Sequence, residues 1–203
     1  MNEKFFALPE EKQQRILNAG YRVFAQNTYK KSPVSEIAAE AGISKSLLFH
    51  YFRNKQELYL YLWENSAKMT IEYLREYGCY EKKDFFDILC SGLQAKVDIM
   101  KKYPYLGGFV LRAFYEKDPE ICPRIQESYR KHLDFNANAA LLRLDPEQFL
   151  PGIDLEMMYR DIYMASEGYI WEMAQRDMVD VEKMEQDFRK MVAFWKQVYG
   201  RKV

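Results

Sequence analysis

Between Ser44 and Lys55 the chain reads SKSLLFHYFRNK, and these residue types suit contact with a polyanion. Ser44, Lys45 and Ser46 offer small hydroxyls and an ammonium, which match phosphate oxygens and base edges, while Leu47 suits a thymine methyl. His50 and Tyr51 are adjacent, so both cannot sit on one core face; turned outward, the two polar-tipped rings would meet sugar and phosphate. Lys55 is the sharper clue. A cation in the first turn of a helix opposes the macrodipole at a cost of about 0.3 kcal/mol or more. A phosphate docked at that helix start would explain it, because free N–H groups there already favour an anion. Taken singly, each residue is equally well read as an ordinary surface or interface side chain. Taken together, they agree.

The elements that must hold this string are also legible. Val34, Ile37, Ala38 and Ala41 fall at i, i+3, i+4 and i+7, the apolar stripe of a short helix. Gly42 stands where a helix ends in a left-handed residue, Ile43 fills the gap, and Ser44 caps a second short helix. Two short helices joined by a turn containing Gly form a helix-turn-helix, whose second helix enters the major groove of DNA. A helix over Pro9–Gln26 precedes it, and Ser32-Pro33 reads as N-cap and first helical residue of the second helix. Asn54 and Glu57 make a capping-box start for a fourth helix, stopped by Gly78.

Beyond lie helices over 84–103, 104–116, 118–143, 154–177 and 180–200, with Pro146 and Pro151-Gly152 punctuating a connector that holds at most a single helical turn. The expectation is an all-α protein of about nine helices. Three form a DNA-binding head over residues 1–54, and six form a ligand-binding and dimerisation body over 55–203.

Composition narrows the function classes. Net charge is zero, but residues 1–55 carry nine Lys+Arg against five Asp+Glu, and the remainder carries 21 against 25. A basic head on an acidic body fits one end meeting phosphates. No apolar run reaches the ~18–20 residues of a membrane span, and the N-terminus lacks a signal-peptide core. Cys79, Cys90 and Cys122 are odd in number, scattered and without CxxC, as expected of a reducing cytoplasm. His50 and His132 have no ligand-spaced partners, so no metal site or cofactor is expected. No nucleophile–base pair, carboxylate cluster or phosphate-cradling Gly loop is present, which points away from an enzyme.

Two patterns in the body bear on assembly and control. In the last helix Val181, Met184, Phe188, Met191, Trp195 and Val198 are spaced 3, 4, 3, 4, 3, an a/d seam. The preceding helix offers Tyr169 and Met173 beside it. Such a seam can pair with a second copy or pack within its own chain; the former supplies two heads for a palindromic site. The body is also rich in aromatics and methionine, which suit either a core or a pocket for an apolar or aromatic compound. Candidate pocket residues are Met100, Tyr103, Phe109, Phe114, Tyr129, Tyr163 and Trp171, with Arg112 and Glu167 as polar anchors.

The segment from Arg15 to Leu58 resembles the DNA-binding domain of the TetR (tetracycline-repressor-like) family of bacterial transcriptional regulators. Ile16 and Phe24, Val34-Ser35-Glu36-Ile37-Ala38, Ala41-Gly42-Ile43-Ser44-Lys45, Leu48-Phe49-His50-Tyr51-Phe52, Lys55 and Leu58 carry the resemblance. It implies a homodimer on a palindromic operator in double-stranded DNA, released when a small-molecule effector fills the C-terminal domain. It also implies DNA contacts at Ser44, Lys45, Ser46, Leu47, His50 and Tyr51, with Lys55 and Ser32 each at a phosphate. Phe49 stands where the family usually has tyrosine, and Thr28 where a glycine often precedes the aromatic Tyr29. The competing expectation is a constitutive DNA-organising or partner-controlled protein that needs no effector.

Overall fold

The computed structural model describes residues 3–132, 144–176 and 179–201. Among them lie ten α-helices and no β-strand: α1 (Glu3–Phe6), α2 (Glu10–Gln26), α3 (Val34–Glu40), α4 (Lys45–Tyr51), α5 (Lys55–Glu76), α6 (Phe85–Lys102), α7 (Leu106–Phe114), α8 (Cys122–His132), α9 (Leu155–Ala174) and α10 (Val181–Tyr199). A 3-10 turn at Pro146–Gln148 occupies the connector. All nine expected helices are present, and α1 is additional. The helix expected from Asp118 starts at Cys122, because Asp118 O first accepts from Ile121 N (3.0 Å) and Cys122 N (2.8 Å) in a turn. The remainder of its expected span, 133–143, falls outside the described residues. No described helix is long and apolar enough to cross a membrane.

Side chains set five of the helix starts. Ser44, Asn54, Asp84, Asp154 and Asp180 each accept the N–H three residues on, at 2.8–3.1 Å. Each bond satisfies a donor the helix leaves open, for about 1 kcal/mol. Ser32 does not follow the pattern. It is buried (3% exposed), its Oγ donates to Thr28 O at 2.9 Å, and Pro33 takes the cap position of α3 without a side-chain bond.

Two hydrophobic cores form. The first gathers the inner faces of α1 to α5 with Leu106, Phe109 and Ala113 of α7. It runs across the expected boundary at 54/55, with Phe24 against Tyr59 (ring centroids 4.7 Å) and both against Phe109 (6.2 and 5.1 Å). The second joins α6, α9 and α10 around Phe86, Val97, Met158, Met173 and Trp195. α7 lies between α2 and α9, and Gly108 makes the closest approach. A Cβ there would stand 2.1 Å from the Ala174 Cβ and 3.5 Å from that of Ala25.

The expected seam of α10 faces inward. Met184, Phe188 and Trp195 are buried in the second core with Met173 of α9, and Met191 and Tyr169 are half-buried beside them. The Tyr169 ring packs on Phe188 (5.0 Å), and its hydroxyl donates to Asp187 at 2.8 Å. The spacing identifies an apolar face of α10 but not its partner, and α6 of the same chain presents the complementary stripe. Only Val198 of that set stays exposed. The neighbouring face is open instead: Phe194 is 59% exposed where Trp195 is 4%.

Candidate nucleic-acid interface and body cleft

The turn between α3 and α4 closes as a Schellman motif. Gly42 takes φ +69°, its N–H donates to Ala39 O (3.0 Å), and the Ile43 N–H donates to Ala38 O (3.0 Å). A Cβ-bearing residue is strained at that φ, so glycine fixes the angle between the helices. Leu48 and Phe52 anchor the inner side of α4 in the first core, leaving Ser44, Lys45, Ser46, Leu47 and His50 exposed together. Ser44 Oγ both caps α4 and pairs with Ser46 Oγ at 2.9 Å, and Lys45 Nζ lies 5.9 Å from the Phe49 ring centre.

Three of the expected contact residues sit differently. Tyr51 turns inward (8% exposed), where Phe5 of α1 meets it at 6.1 Å and Phe52 at 5.0 Å. The short α1 helix therefore backs the recognition helix, and Phe5 is the residue that sequence patterning passed over. Ser32 is enclosed, as above. The Lys55 ammonium donates to Tyr29 O (2.8 Å), Lys30 O (3.3 Å) and Ser32 O (3.4 Å) and lies 4.6 Å from the Tyr29 ring centre. An ammonium has three donors, and all are used. The cation at the start of α5 is explained by the carbonyls of the turn before α3.

That turn is also tied to the body. The Tyr29 N–H donates to Glu116 Oε2 (2.7 Å), its hydroxyl donates to Glu120 Oε2 (3.2 Å), and Gln56 Nε2 donates to Glu120 O (2.8 Å). Burial, followed by Glu120, pushes the Tyr29 phenol well above its ordinary range, so the hydroxyl remains a donor. Arg112 of α7 donates through Nε to Ala25 O in the last turn of α2 (2.7 Å), with its guanidinium 4.6 Å from the Trp171 ring of α9. Burial holds that guanidinium below its ordinary pKa.

Beside Arg112 a cleft of about 700 Å³ opens between α7 and α9, reaching Thr28 at the head. Of the nine candidate pocket residues it takes in Arg112, Tyr163, Glu167 and Trp171. Glu167 accepts the Tyr115 hydroxyl at 3.3 Å. Burial and Glu167 push the Tyr163 phenol upward. Phe109 and Met100 are instead buried in the first and second cores. Tyr103 packs on Tyr21 (5.7 Å), and Phe114 on Tyr129 (4.6 Å), outside the cleft. Lys96 of α6 was not among the candidates. Its signal was a lysine at the third place of Leu89, Leu93, Lys96, Met100, a 4, 3, 4 apolar stripe.

The comparisons with known proteins agree with this geometry. Residues 16–62 match the sequence model of "Bacterial regulatory proteins, tetR family". The chain is 34% identical over 65 residues to the fatty acid metabolism regulator protein of Bacillus subtilis, a match over 32% of this chain and 34% of that protein. It is 22% identical over 170 residues to the transcriptional repressor AcnR of Corynebacterium efficiens, covering 82% of this chain and 84% of the relative. Among solved structures, the ketosteroid transcriptional regulator KstR2 of Mycobacterium tuberculosis superposes with a TM-score of 0.70 at 15% identity, over 96% of this chain and 97% of that one. The chain spans about a third of the length of the Bacillus relative, and the structural likeness is one of fold. Residues 16–62 thus match the TetR-type DNA-binding head, and the chain as a whole shares the fold of TetR-family regulators of known structure.

Proposed function

We propose that the protein is a dimeric repressor that binds a palindromic operator through α4 and lets go when a small molecule occupies the body. Residues 1–54 serve as the DNA-binding part and 55–203 as the effector-binding and dimerising part. The observation that carries the reading is the join between cleft and head. Trp171 and Arg112 line the cleft, and the same Arg112 holds the last carbonyl-bearing turn of the helix that precedes the turn to α3. A molecule that displaces Trp171 changes what Arg112 rests on, and thereby the seat of the head.

Ser44, Lys45, Ser46, Leu47 and His50 are the contact set on DNA, being the exposed residues of one helix face. The dimer face moves from the buried seam to the open side of the same two helices. Phe194 and Val198 of α10 are exposed there, as are Met157 and Met164 of α9, which flank Asp161 on one face. Tyr199 donates to Asp161 at 2.9 Å, holding the end of α10 beside the start of α9, so these four residues form neighbouring patches. Exposed apolar side chains in a group of this kind mark an association surface.

Selection of bound sequences from a random duplex pool tests the reading. The expected product is an inverted repeat with half-sites roughly 10 bp apart, or a multiple of that spacing. An asymmetric site, or none, would reject it. Phe194→Glu combined with Met157→Glu is expected to give folded monomers with weakened operator binding; a variant that still sediments as a dimer would remove this face from the interface.

A further inference from the structure

The cleft between α7 and α9 is unevenly served with hydrogen-bond partners. Its two carboxylates are occupied. Glu116 Oε2 accepts the Tyr29 N–H (2.7 Å), and its Oε1 accepts the N–H groups of Lys117 (2.9 Å) and Asp118 (3.1 Å). Glu167 faces the phenols of Tyr115 and Tyr163. Its two guanidiniums are open. Arg112 spends Nε on Ala25 O and lies over the Trp171 ring, and its Nη groups meet no acceptor among the described residues. Glu116 acts on that charge without forming an ion pair, while burial works against it. Arg160, about three turns before Trp171 on α9, is exposed and has no hydrogen bond or ion pair among the described residues. Arg112 is therefore a planar fork fixed at one end, the geometry that pairs with a carboxylate. The wall beside it has a gap. Gly168 lies between Met164 and Trp171 on one face of α9, all three lining the cleft, and a Cβ added there would meet nothing within 4 Å. The missing side chain leaves a slot against the helix, and the exposed rings of Tyr115, Tyr163 and Trp171 line the same cleft.

We propose that the cleft binds an aromatic carboxylate, its acid group paired with the free Nη edge of Arg112 and its ring seated over Gly168 beside Trp171. This rests on the effector-controlled regulator reading and names the effector's class. Aromatic walls favour a ring over a flexible chain, and one fixed fork, with Glu167 in the same cleft, favours a monoanion over a phosphate. A carboxylate held there draws on the same guanidinium whose Nε fixes the last turn of α2.

The probes are 2-naphthoate, its neutral amide and its ring-saturated analogue decahydro-2-naphthoate, with calorimetric titration of the full chain as the measurement. Wild type is expected to bind naphthoate about tenfold or more tighter than the amide, because a hydrogen bond to a charged group is worth that much. The saturated acid should bind about threefold or more weaker than naphthoate, for want of ring contacts. Gly168→Leu fills the slot and should abolish binding of all three. Its side chain enters open space and leucine is the better helix former, so the variant should melt at or above wild type. Arg112→Gln should erase the advantage of acid over amide, and Arg160→Gln should keep it. Equal binding of naphthoate and either analogue by wild type, no saturable binding of naphthoate, or an acid preference intact in Arg112→Gln would each overturn the proposal. So would a folded Gly168→Leu that still binds naphthoate; if its sedimentation also changed, the slot would belong to a second copy of the chain. Operator release separates the two ideas. An uncharged compound that releases DNA from a protein indifferent to naphthoate sinks the carboxylate site and leaves the regulator standing. Arg112-dependent naphthoate binding with no compound able to release DNA does the reverse.

Discussion

Lys55 is half-buried and Lys96 is exposed, and their neighbourhoods treat the charge in different ways. Around Lys55 three carbonyls and the face of Tyr29 converge on one ammonium. Beside Lys96 on α6 stand Leu93 and Met100 of the second core and Ile99 of the first, and no acceptor among the described residues meets its ammonium. The first lysine completes a turn; the second closes nothing among the described residues.

Replacing each lysine by methionine is the direct way to break that contrast, because the two effects should differ in size. Lys55→Met is expected to destabilise the fold by about 2 kcal/mol, the value of losing hydrogen bonds from a charged donor to partly buried carbonyls. Urea unfolding reads it. The same variant should weaken all duplexes alike with an unchanged salt slope; a slope reduced by about one counterion would mean that Lys55 also reaches a phosphate. Lys96→Met should change stability by no more than about 0.5 kcal/mol, as for an exposed side chain without a partner among the described residues. A loss of stability there would mean that the ammonium is paired after all.

Tyr59 sharpens the comparison with a neutral group. Its hydroxyl is buried with no hydrogen-bond partner, so Tyr59→Phe should raise stability by up to about 1 kcal/mol. A drop on removal of that oxygen would show that the hydroxyl is satisfied. The smallest effect concerns Asp187, a satisfied charge at the surface. Hydrogen bonds from Lys183 and Tyr169 hold its carboxyl down at about 2. A depressed carboxylate lends stability that is complete above its ordinary pKa of 3.8 and fades as pH falls toward about 2. Asp187→Asn should therefore lower stability slightly and by a constant amount above about pH 4, with the difference from wild type closing as pH falls toward about 2.

What sequence could reveal here divides by the range of the cause. Ser44, Gly42, Asn54 and the three capping aspartates act on backbone within a few residues, so their types and spacing announced both the helix-turn-helix and the order of the helices. Which way Tyr51 and Ser32 face, and what the α10 seam with Trp195 packs against, is decided by the partner, and the partners are Phe5, the Thr28 turn and α6. Lys55 was rightly singled out as a cation against its helix dipole. Its acceptors come from a turn about 25 residues away in the chain, which spacing cannot display. Lys96 was visible as a polar residue in an apolar stripe and was passed over, since a lone lysine on a helix is so often solvated.

Gly108 gives the molecule a bearing rather than a spring. Where α2, α7 and α9 meet, the separation is set by one missing side chain, and the nearest neighbours are the methyl groups of Ala174 and Ala25. A methyl group has no rotamer to change, so nothing at that point can absorb a displacement. A push on α9 is passed to α2 undiminished, or it rolls the two helices about the contact. The join between body and head is thus stiff at its centre and adjustable only at its rim.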